Sequence, residues 1–372
     1  MYFTVANIIF YFLVLTSGLL IFYYLYFFSK LSFYKEDKSN TTSALPPLTV
    51  IVCARNEQYN LEKYIPHLLQ QKYSNDYEVL LVNDNSEDNT RNVMQWMARE
   101  HAKLHIINIE RRNKESVGKK YPLAIGISEA GHENILLTDA DCAPASANWA
   151  AKMQHAYRPG VEIVLGYGAY EKHPGFLNKA IRFETFHSAM QYLSYAIAGL
   201  AYMGVGRNLS YKKELFFRHK GFVSINHVPG GDDDLFINKA ATATNTAIMI
   251  DPDAFTISVP KKTWNDWKRQ KTRHYSTSKY YKIKHKILLG LYSVSQFLFY
   301  PLLIAAAFMF NWQVVLAILA IKSAIQYVVF SNAMKKLNET DLTGWIFVID
   351  LWMVGYYLFF ANTLWKKEKK NW

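Results

Sequence analysis

A charge-free apolar run near the start of the chain, residues 5–28, constrains the fold more than any other sequence feature. A helix that crosses a bilayer needs about 20 mainly apolar residues, and this run reaches that length. It has neither the basic start nor the small-residue cleavage site of a secretory signal peptide. We therefore predict a retained transmembrane helix over residues 1–28, rather than a buried helix of a soluble core.

Further apolar segments lie near the end of the chain, at 287–310, 313–331 and 343–364. Lys322 interrupts the second of them and Asp350 interrupts the third. Apolar runs of this length are typical of membrane helices. We expect about three transmembrane or re-entrant segments over 287–364, followed by a basic tail at 365–372.

The positive charge of the chain is concentrated beside these apolar segments. Lys and Arg number 42 against 30 Asp and Glu, a net charge of +12. Much of the surplus lies at 261–286 and 366–370. Such clusters attract anionic lipid headgroups or an anionic substrate, so membrane lipids are expected partners. Nucleic acid is the rival polyanion, but no nucleic-acid-binding motif is present, and we predict no such partner.

The region after the first apolar run has the features of a cytoplasmic domain. Lys30, Lys35 and Lys38 follow the run at once, and a basic excess marks the cytoplasmic side of a membrane. Cys53 and Cys142 are too few for a disulfide framework, which favours a reducing compartment.

A change of pattern at residue 48 indicates a folded domain. Residues 29–47 are polar, end in Pro-Pro and are predicted to be a linker. Short runs rich in Val, Ile and Leu then alternate with helical stretches until about residue 260. Strands are predicted at 48–54, 77–84, 104–109 and 134–140, and helices at 58–71, 89–102 and 120–130. Continuous apolar strands separated by helices are typical of an α/β domain with a largely parallel sheet, over 48–260.

Polar residues follow each of these predicted strands. Ala54 is followed by Arg55, Asn56 and Glu57, the second strand ends at Asp84, and the fourth at Asp139. Functional loops of a parallel sheet gather at the carboxyl ends of its strands. The sequence therefore predicts one crevice lined by these strand ends.

Asp139 and Asp141 stand one residue apart where a buried strand breaks into a loop. Two carboxylates this close repel unless a cation lies between them, and Mg2+ or Mn2+ prefers such oxygen ligands. A turn or a helix cap is the alternative, since Asp is common in both.

Asp84 and Lys119 are the other strand-end candidates. The carboxylate of Asp84 could accept hydrogen bonds from a nucleobase or a ribose, or it could cap the next helix. Lys119 follows Gly118 before a predicted helix, where it could meet a phosphate or remain solvated.

Three adjacent carboxylates, Asp232, Asp233 and Asp234, follow two glycines. Their mutual repulsion predicts a raised pKa or a cationic partner for at least one of them. A raised pKa suits a general base, and Asp232 and Asp233 are the candidates. A solvated acidic loop is the alternative.

Two further stretches complete the candidate site. Arg207 and Asn208 could line a donor or acceptor pocket. Gln270, Arg273 and His274 lie in a predicted amphipathic interfacial segment at 261–286, just before the membrane. Arg273 could grip a diphosphate or face lipid headgroups.

Five of these stretches, in the same order, resemble the membrane-integrated family 2 glycosyltransferases with a GT-A fold, which include cellulose, chitin, hyaluronan and poly-N-acetylglucosamine synthases. The stretches are VIVCARNE, VNDNSEDNT, TDADC, GGDDDL and QKTRH. The resemblance extends over about residues 48–281. It implies a GT-A (Rossmann-like) domain flanked by transmembrane helices.

The resemblance also implies roles for individual residues. Asp84 would contact uridine, Asp139 and Asp141 would bind UDP and the metal, and Asp232 would be the base of an inverting transfer. Gln270 and Arg273 would hold the donor diphosphate and the acceptor end. Two positions depart from the family pattern: His274 replaces a tryptophan, and Gly231 replaces an acidic residue.

The function that this resemblance implies is transfer of a sugar from a nucleotide sugar, UDP-linked, to a glycan or lipid-linked acceptor. The enzyme would lie in the cell (inner) membrane with its catalytic domain in the cytoplasm. A polyprenyl-phosphate sugar transferase and a catalytically inactive scaffold subunit are the alternatives. Four full crossings would leave the 366–370 lysines outside, against the positive-inside tendency, so one C-terminal segment re-enters or lies in the interface, or the tail breaks the rule.

Overall fold

The structure is a computed structural model that describes residues 5–36, 44–110, 118–228 and 230–361. An α/β domain lies between one long apolar helix and a C-terminal group of apolar helices. The predicted tail at 365–372 lies outside the described residues.

The strands follow the predicted pattern closely at the start of the domain. They are β1 (Leu48–Ala54), β2 (Tyr77–Asp84), β3 (Leu104–Ile109), β4 (Asn134–Asp139), β5 (Cys142–Pro144), β6 (Ile163–Leu165), β7 (Gly168–Tyr170), β8 (Leu209–Lys212), β9 (Thr246–Ile248) and β10 (Thr256–Ser258).

The α-helices are α1 (Val5–Phe22), α2 (Ser29–Ser32), α3 (Gln58–Leu69), α4 (Thr90–Glu100), α5 (Lys120–Glu129), α6 (Trp149–His155), α7 (Phe176–Ile197), α8 (Lys213–Arg218), α9 (Asp234–Ala240), α10 (Trp264–Tyr275), α11 (Ile283–Met309), α12 (Trp312–Lys336) and α13 (Ile346–Ala361). The predicted interfacial segment at 261–286 contains α10 and the beginning of α11.

A seven-stranded sheet forms the centre of the domain, in the order β3-β2-β1-β4-β8-β6-β9. Strands β3, β2, β1 and β4 pair in parallel, and β8 runs antiparallel to both β4 and β6. Strands β1, β2 and β4 are buried on both faces, as their continuous Val, Ile and Leu runs require. The predicted, mostly parallel sheet is confirmed.

A second, three-stranded sheet has the order β5-β10-β7, and its strand β5 begins directly after Asp141. Strand β5 starts at Cys142, and its pairing with β10 places Cys142 opposite Ser258. This sheet therefore fixes the exit of the chain from Asp141 and forms one wall beside the strand ends.

The N-terminal helix extends further than the predicted boundary at residue 28. A π-helical turn, Tyr23–Phe28, leads into α2, and helical structure continues to Ser32. The hydroxyl of Ser32 donates to the carbonyl of Phe28 at 2.9 Å and to that of Val329 in α12 at 2.7 Å. This tertiary contact explains why the predicted linker at 29–47 begins too early by four residues.

Four helical stretches within the described residues are long and apolar enough to cross a membrane: Val5–Ser32, Ile283–Met309, Trp312–Lys336 and Thr340–Phe360. The two charges that interrupt the predicted C-terminal segments are buried in one hydrogen-bonded cluster. The ammonium of Lys322 lies 3.1 Å from a carboxylate oxygen of Asp350 and donates to Gln326 at 2.7 Å. Gln296 and Tyr300 donate to the same carboxylate.

A partly buried ion-pair network ties the domain to the connection between α12 and α13. The guanidinium of Arg182 in α7, only 2% exposed, pairs with Glu339 and Asp341. The hydroxyl of Tyr167 donates to Glu339 at 3.1 Å, and Lys172 donates to Asp341 at 2.9 Å. Because buried ion pairs need close and complementary geometry, this network fixes the domain against the membrane helices.

Candidate active site

The parallel strands β1, β2 and β4 end at one edge of the sheet. The pairing register places Cys53 beside Asp139 of β4 and beside Val82 of β2, two residues before Asp84. The register of the sheet therefore places the polar strand ends side by side, as the predicted crevice requires.

The Cys53 thiol marks the centre of this edge. Burial raises its pKa to about 12, and the charges of Lys119, Asp232, Asp84 and Asp139 all act on it. Four charged residues from four different segments thus surround one side chain. The thiol itself stays protonated at neutral pH and is not a nucleophile.

Lys119 forms an ion pair with Asp139 in the cleft. Burial alone would lower the pKa of Lys119, but the nearby charges of Asp139 and Asp232 raise it above its usual range. Burial alone would likewise raise the pKa of Asp139, but the Lys119 charge holds it below its usual range. Asp139 is therefore ionised, and Lys119 supplies the positive charge beside it.

Asp139, Asp141 and Cys142 form the group of possible metal ligands in the described part of the chain. One donor atom from each residue lies within 4.8 Å of the others. Burial and the charge of Asp139 raise the pKa of Asp141. Two carboxylates at this separation provide the hard oxygen donors that Mg2+ or Mn2+ prefers, so the donor set fits such an ion.

Positive side chains surround the two carboxylates. The charges of Arg207 and Arg273 act on Asp139, and those of Arg207 and Lys261 act on Asp141. The sequence reasoning missed Lys261, which lies in a solvent-exposed loop and has no motif of its own. This positive rim is suited to bind a diphosphate.

The three adjacent aspartates have three different environments. Asp234 is buried and accepts hydrogen bonds from the hydroxyls of Thr277 and Tyr281. Asp233 accepts from the backbone N–H of Gly206 at 2.8 Å and from that of Asp234 at 2.7 Å. Asp232 is half-buried and has no hydrogen-bond partner among the described residues.

The prediction that Asp233 is a catalytic residue needs correction. Both of its carboxylate oxygens accept backbone N–H groups, and it caps α9. A carboxylate with both oxygens occupied in this way fixes the loop and is poorly placed to receive a proton from a substrate. Asp232 is the member of the group whose carboxylate is open to the cleft.

Gly231 explains one departure from the family pattern. Its φ is +95°, and a Cβ added there would lie 2.5 Å from Leu235. An acidic residue at this position would be strained and would clash. The loop before the aspartates is therefore built around glycine.

Asp233 makes stability depend on pH. Burial raises its pKa to about 8, and the charges of Asp232 and Asp234 add to the effect. In an unfolded chain an aspartate titrates near pH 4. Between about pH 4 and pH 8 the native state therefore holds a proton that the unfolded state has lost, so stability falls as pH rises.

We expect the thermal midpoint of the metal-free protein to fall from pH 5 to pH 8, and Asp233→Asn to flatten this slope. The pKa of Asp234 is also raised, chiefly by burial, so part of the slope remains. Differential scanning fluorimetry at constant ionic strength measures it. Equal slopes in the wild type and in Asp233→Asn would contradict the assignment.

Lys120 is a site residue that sequence reasoning missed. Its ammonium is buried and donates to the backbone carbonyls of Val228 and Gly230, the latter at 2.8 Å. Successive lysines thus face the two halves of the site: Lys119 pairs with Asp139, and Lys120 holds the loop before Asp232. No sequence pattern predicts this role, because it depends on contacts with residues more than 100 positions away.

The residues after β1 lock the loops of β1 and β2 together. Asn56 adopts a left-handed conformation, with φ of 58°, and its amide oxygen accepts the N–H of Glu87 at 2.8 Å. Burial raises the pKa of Glu57, on which the charges of Asp141 and Asp139 also act. Ala54 is buried and can offer a ligand only its backbone. Glu57 therefore faces the cleft, whereas the side chain of Asn56 organises its rim.

Helix α10 presents the predicted interfacial residues beside this cleft. The amide of Gln270 donates to the hydroxyl of Tyr170 at 3.3 Å. The guanidinium of Arg207 stacks over the same ring at 4.4 Å and donates to the carbonyl of Gly168. Arg273 and His274 are exposed on α10. Arg207, Gln270 and Arg273 are thereby brought to the side of Asp139.

The prediction that Asn208 lines a pocket is wrong. Its side chain is fully buried, accepts the indole N–H of Trp149 at 3.0 Å and donates to the carbonyls of Tyr167 and Ala254. A polar residue in this position satisfies three buried groups of the core. Asn208 is structural.

Comparison with known proteins identifies the domain. Residues 49–218 match the model of the family described as Glycosyl transferase family 2. This match covers less than half of the chain and supports a glycosyltransferase family 2 domain over these residues. The predicted enzyme class, a glycosyltransferase, is confirmed by this match.

The family 2 domain has the predicted GT-A fold. A mannosyltransferase from Pyrobaculum calidifontis, solved in complex with GDP-Man and Mn2+, superposes with a TM-score of 0.60 at 21% identity and covers 94% of this chain and 99% of its own. At this identity the likeness establishes the fold.

Curated relatives of the family 2 domain are also glycosyltransferases. The 4,4'-diaponeurosporenoate glycosyltransferase of Staphylococcus haemolyticus is 31% identical over 30% of this chain and 28% of its own. The beta-monoglucosyldiacylglycerol synthase of Trichormus variabilis is 32% identical over 28% of this chain and 22% of its own. The chain thus spans about a quarter of the length of these two relatives. The probable glycosyltransferase YdaM of Bacillus subtilis is 23% identical over 86% of this chain and 74% of its own.

Proposed function

We propose that the protein is an inverting glycosyltransferase of the cell membrane that moves a sugar from a nucleotide sugar, UDP-linked, to a lipid-linked acceptor. The observation that carries the proposal is the convergence of Asp84, Asp139, Asp141 and Asp232 with Lys119 at one edge of the sheet. Carboxylates from distant segments meet there within a positive rim.

The donor half of the reaction belongs to the β2 and β4 strand ends. Asp84 would accept hydrogen bonds from the nucleoside, and Asp139 and Asp141 would hold Mg2+ or Mn2+. The ion would neutralise the departing diphosphate. Lys119, Arg207 and Arg273 would bind phosphate oxygens. The Pyrobaculum mannosyltransferase, solved with GDP-Man and Mn2+, supports a nucleotide sugar and a divalent ion in general but not uridine.

Asp232 would act as the general base. It would accept the proton of the acceptor hydroxyl as the oxygen attacks the anomeric carbon on the face opposite the diphosphate. One displacement of this kind inverts the configuration. The loop that carries Asp232 is held by Asp233 and Lys120, so the carboxylate would be positioned before substrate binds.

The membrane helices favour a single transfer over polymer export. A polysaccharide would need a water-filled path through the bundle. The interrupting charges Lys322 and Asp350 are instead 1% and 3% exposed, and they bond to each other and to glutamines of the bundle. The diacylglycerol and diaponeurosporenoate relatives bear names of lipid-modifying enzymes, which supports a lipid-linked acceptor.

Lysines at the ends of the membrane helices favour a cytoplasmic location of the catalytic domain. Lys30, Lys335 and Lys336 lie at the domain-side ends of the N-terminal helix and of α12. This positive excess favours a catalytic domain on the cytoplasmic face, where nucleotide sugars occur.

Nucleotide release from a panel of UDP- and GDP-sugars tests the donor and the metal. We expect purified protein to release UDP from one UDP-sugar in Mn2+ or Mg2+, and EDTA to abolish the release, because the metal stabilises the leaving diphosphate. Excess Mn2+ should restore it. The control is Glu100→Gln, which changes an exposed carboxylate away from the strand ends.

The same assay separates the alternatives. Activity that survives EDTA would mean that transfer does not require a metal ion. No nucleotide release with any nucleotide sugar would favour the inactive scaffold. Mass spectrometry of lipids extracted from the reaction would reveal one added sugar for a single transfer. This outcome includes transfer to a polyprenyl phosphate. A ladder of products would instead indicate a polymerase.

A further inference from the structure

The last apolar helix, α13, contacts the catalytic domain from its beginning to its end. Just before α13, the ammonium of Lys179 lies 4.2 Å from the ring centre of Trp345. In its middle, the ring centre of Trp352 lies 6.2 Å from that of Phe176. At its end, Phe360 lies 5.5 Å from Tyr275 of α10. A helix that crosses the bilayer away from the domain would lose these contacts after its first turns.

Helices α13 and α10 run side by side in the same direction. Trp264 lies 6.2 Å from Trp352, and Trp267 lies 5.5 Å from Tyr356. With the contact between Tyr275 and Phe360, these pairs show that the residue numbers of both helices increase in the same direction. The second half of α13 therefore lies alongside α10.

Glu184 of α7 fastens this pair to the domain. Its carboxylate forms a buried ion pair with Lys271 of α10 and accepts a hydrogen bond from the hydroxyl of Tyr356 at 3.3 Å. Because one carboxylate binds a group on each helix, α7, α10 and α13 form a connected layer.

Helix α10 cannot lie in the hydrocarbon of a bilayer. The face of α10 away from the cleft exposes Lys268 and Arg269. A charged side chain is costly at the centre of a bilayer. The helix must stay in water or among headgroups, and α13 is held beside it.

The opposite face of α13 is apolar and exposed. The residues of this face are Phe347, Val348, Leu351, Leu358 and Phe359, each 46–56% exposed. Lys268 of α10 lies 4.3 Å from the ring centre of Phe359, so a positive charge borders the apolar face. An apolar face with a cationic border matches a leaflet of anionic lipid.

We infer that α13 does not cross the membrane but lies in the leaflet on the catalytic side, where α10 and α13 together bind anionic lipid. Within the described residues the bilayer is then crossed three times, by the N-terminal helix, α11 and α12. The described part of the chain then ends on the catalytic side, at Ala361.

Thiol labelling in oriented membrane vesicles tests this inference without any assay of sugar transfer. Single cysteines are placed at Lys369 and, as a control, at Asn311 in the connection of α11 and α12, in a background with Cys53→Ser and Cys142→Ser. A membrane-impermeant maleimide should label Lys369→Cys only in inside-out vesicles and Asn311→Cys only in right-side-out vesicles. This pattern would place the two positions on opposite faces.

Labelling of Lys369→Cys and Asn311→Cys from the same face, or of Lys369→Cys from both faces or from neither, would overturn the inference. If the cysteine substitutions prevent insertion, the wild-type chain with a C-terminal epitope provides the same readout. An antibody should bind the epitope in inside-out vesicles and not in right-side-out ones, and the reverse would overturn the inference.

Discussion

Asp232→Asn is expected to lower kcat by about 10²- to 10⁴-fold, the usual contribution of a general base. The amide has the same shape but cannot accept the acceptor proton. Nucleotide binding should persist, because Asp232 is not one of the proposed metal ligands, Asp139 and Asp141. Product formation from a labelled sugar nucleotide, measured at saturating donor, gives kcat directly.

Glu100→Gln is the matched control for this substitution, because it removes an exposed carboxylate far from the strand ends and should leave kcat unchanged. If Asp232→Asn kept more than a third of wild-type kcat, the base assignment would be wrong. The loop would then need a different proton acceptor, and no carboxylate of the triplet other than Asp232 is open to the cleft.

Asp350→Leu is expected to destabilise the protein by about 3–5 kcal/mol, the cost of leaving a buried charge without its partner. Lys322 is 1% exposed and would keep its hydrogen bond to Gln326 and its aromatic neighbours, but it would lose its carboxylate partner. Gln296 and Tyr300 would lose their acceptor as well. Unfolding in mixed detergent micelles, followed by tryptophan fluorescence, measures the loss.

The double variant Lys322→Met with Asp350→Leu provides the control. It should recover much of the lost stability, because replacing both members of a buried ion pair by apolar residues of similar size is often neutral. A single variant as stable as the wild type would mean that water reaches Lys322. That result would reopen the case for an aqueous path and a polymer product.

The sequence predicted the first half of the domain well because its signals are local. Strand β1 is a continuous run of apolar residues, and its predicted bounds, 48–54, match the structure. The polar residues after each strand follow from the same pattern. Parallel pairing then brings Asp139 beside Cys53 without any further information.

The sequence could not predict roles that depend on distant contacts. Asn208 looks like a pocket residue, but Trp149, Tyr167 and Ala254 make it a core residue. Asp233 looks like a second base until Gly206, 27 positions away in sequence, is seen to donate to it. Lys120 belongs to no motif, and the helix continues to Ser32 because α12 packs there. Each of these roles is set by the tertiary fold.

The most direct test of the central claim is calorimetric titration of the purified protein with UDP in Mn2+. We expect binding by the wild type and by Asp232→Asn, and its loss in Asp139→Asn with Asp141→Asn and in EDTA. This pattern would place the metal and the diphosphate at the β4 strand end, apart from the base. Equal, metal-independent affinity in all of these proteins would contradict the account.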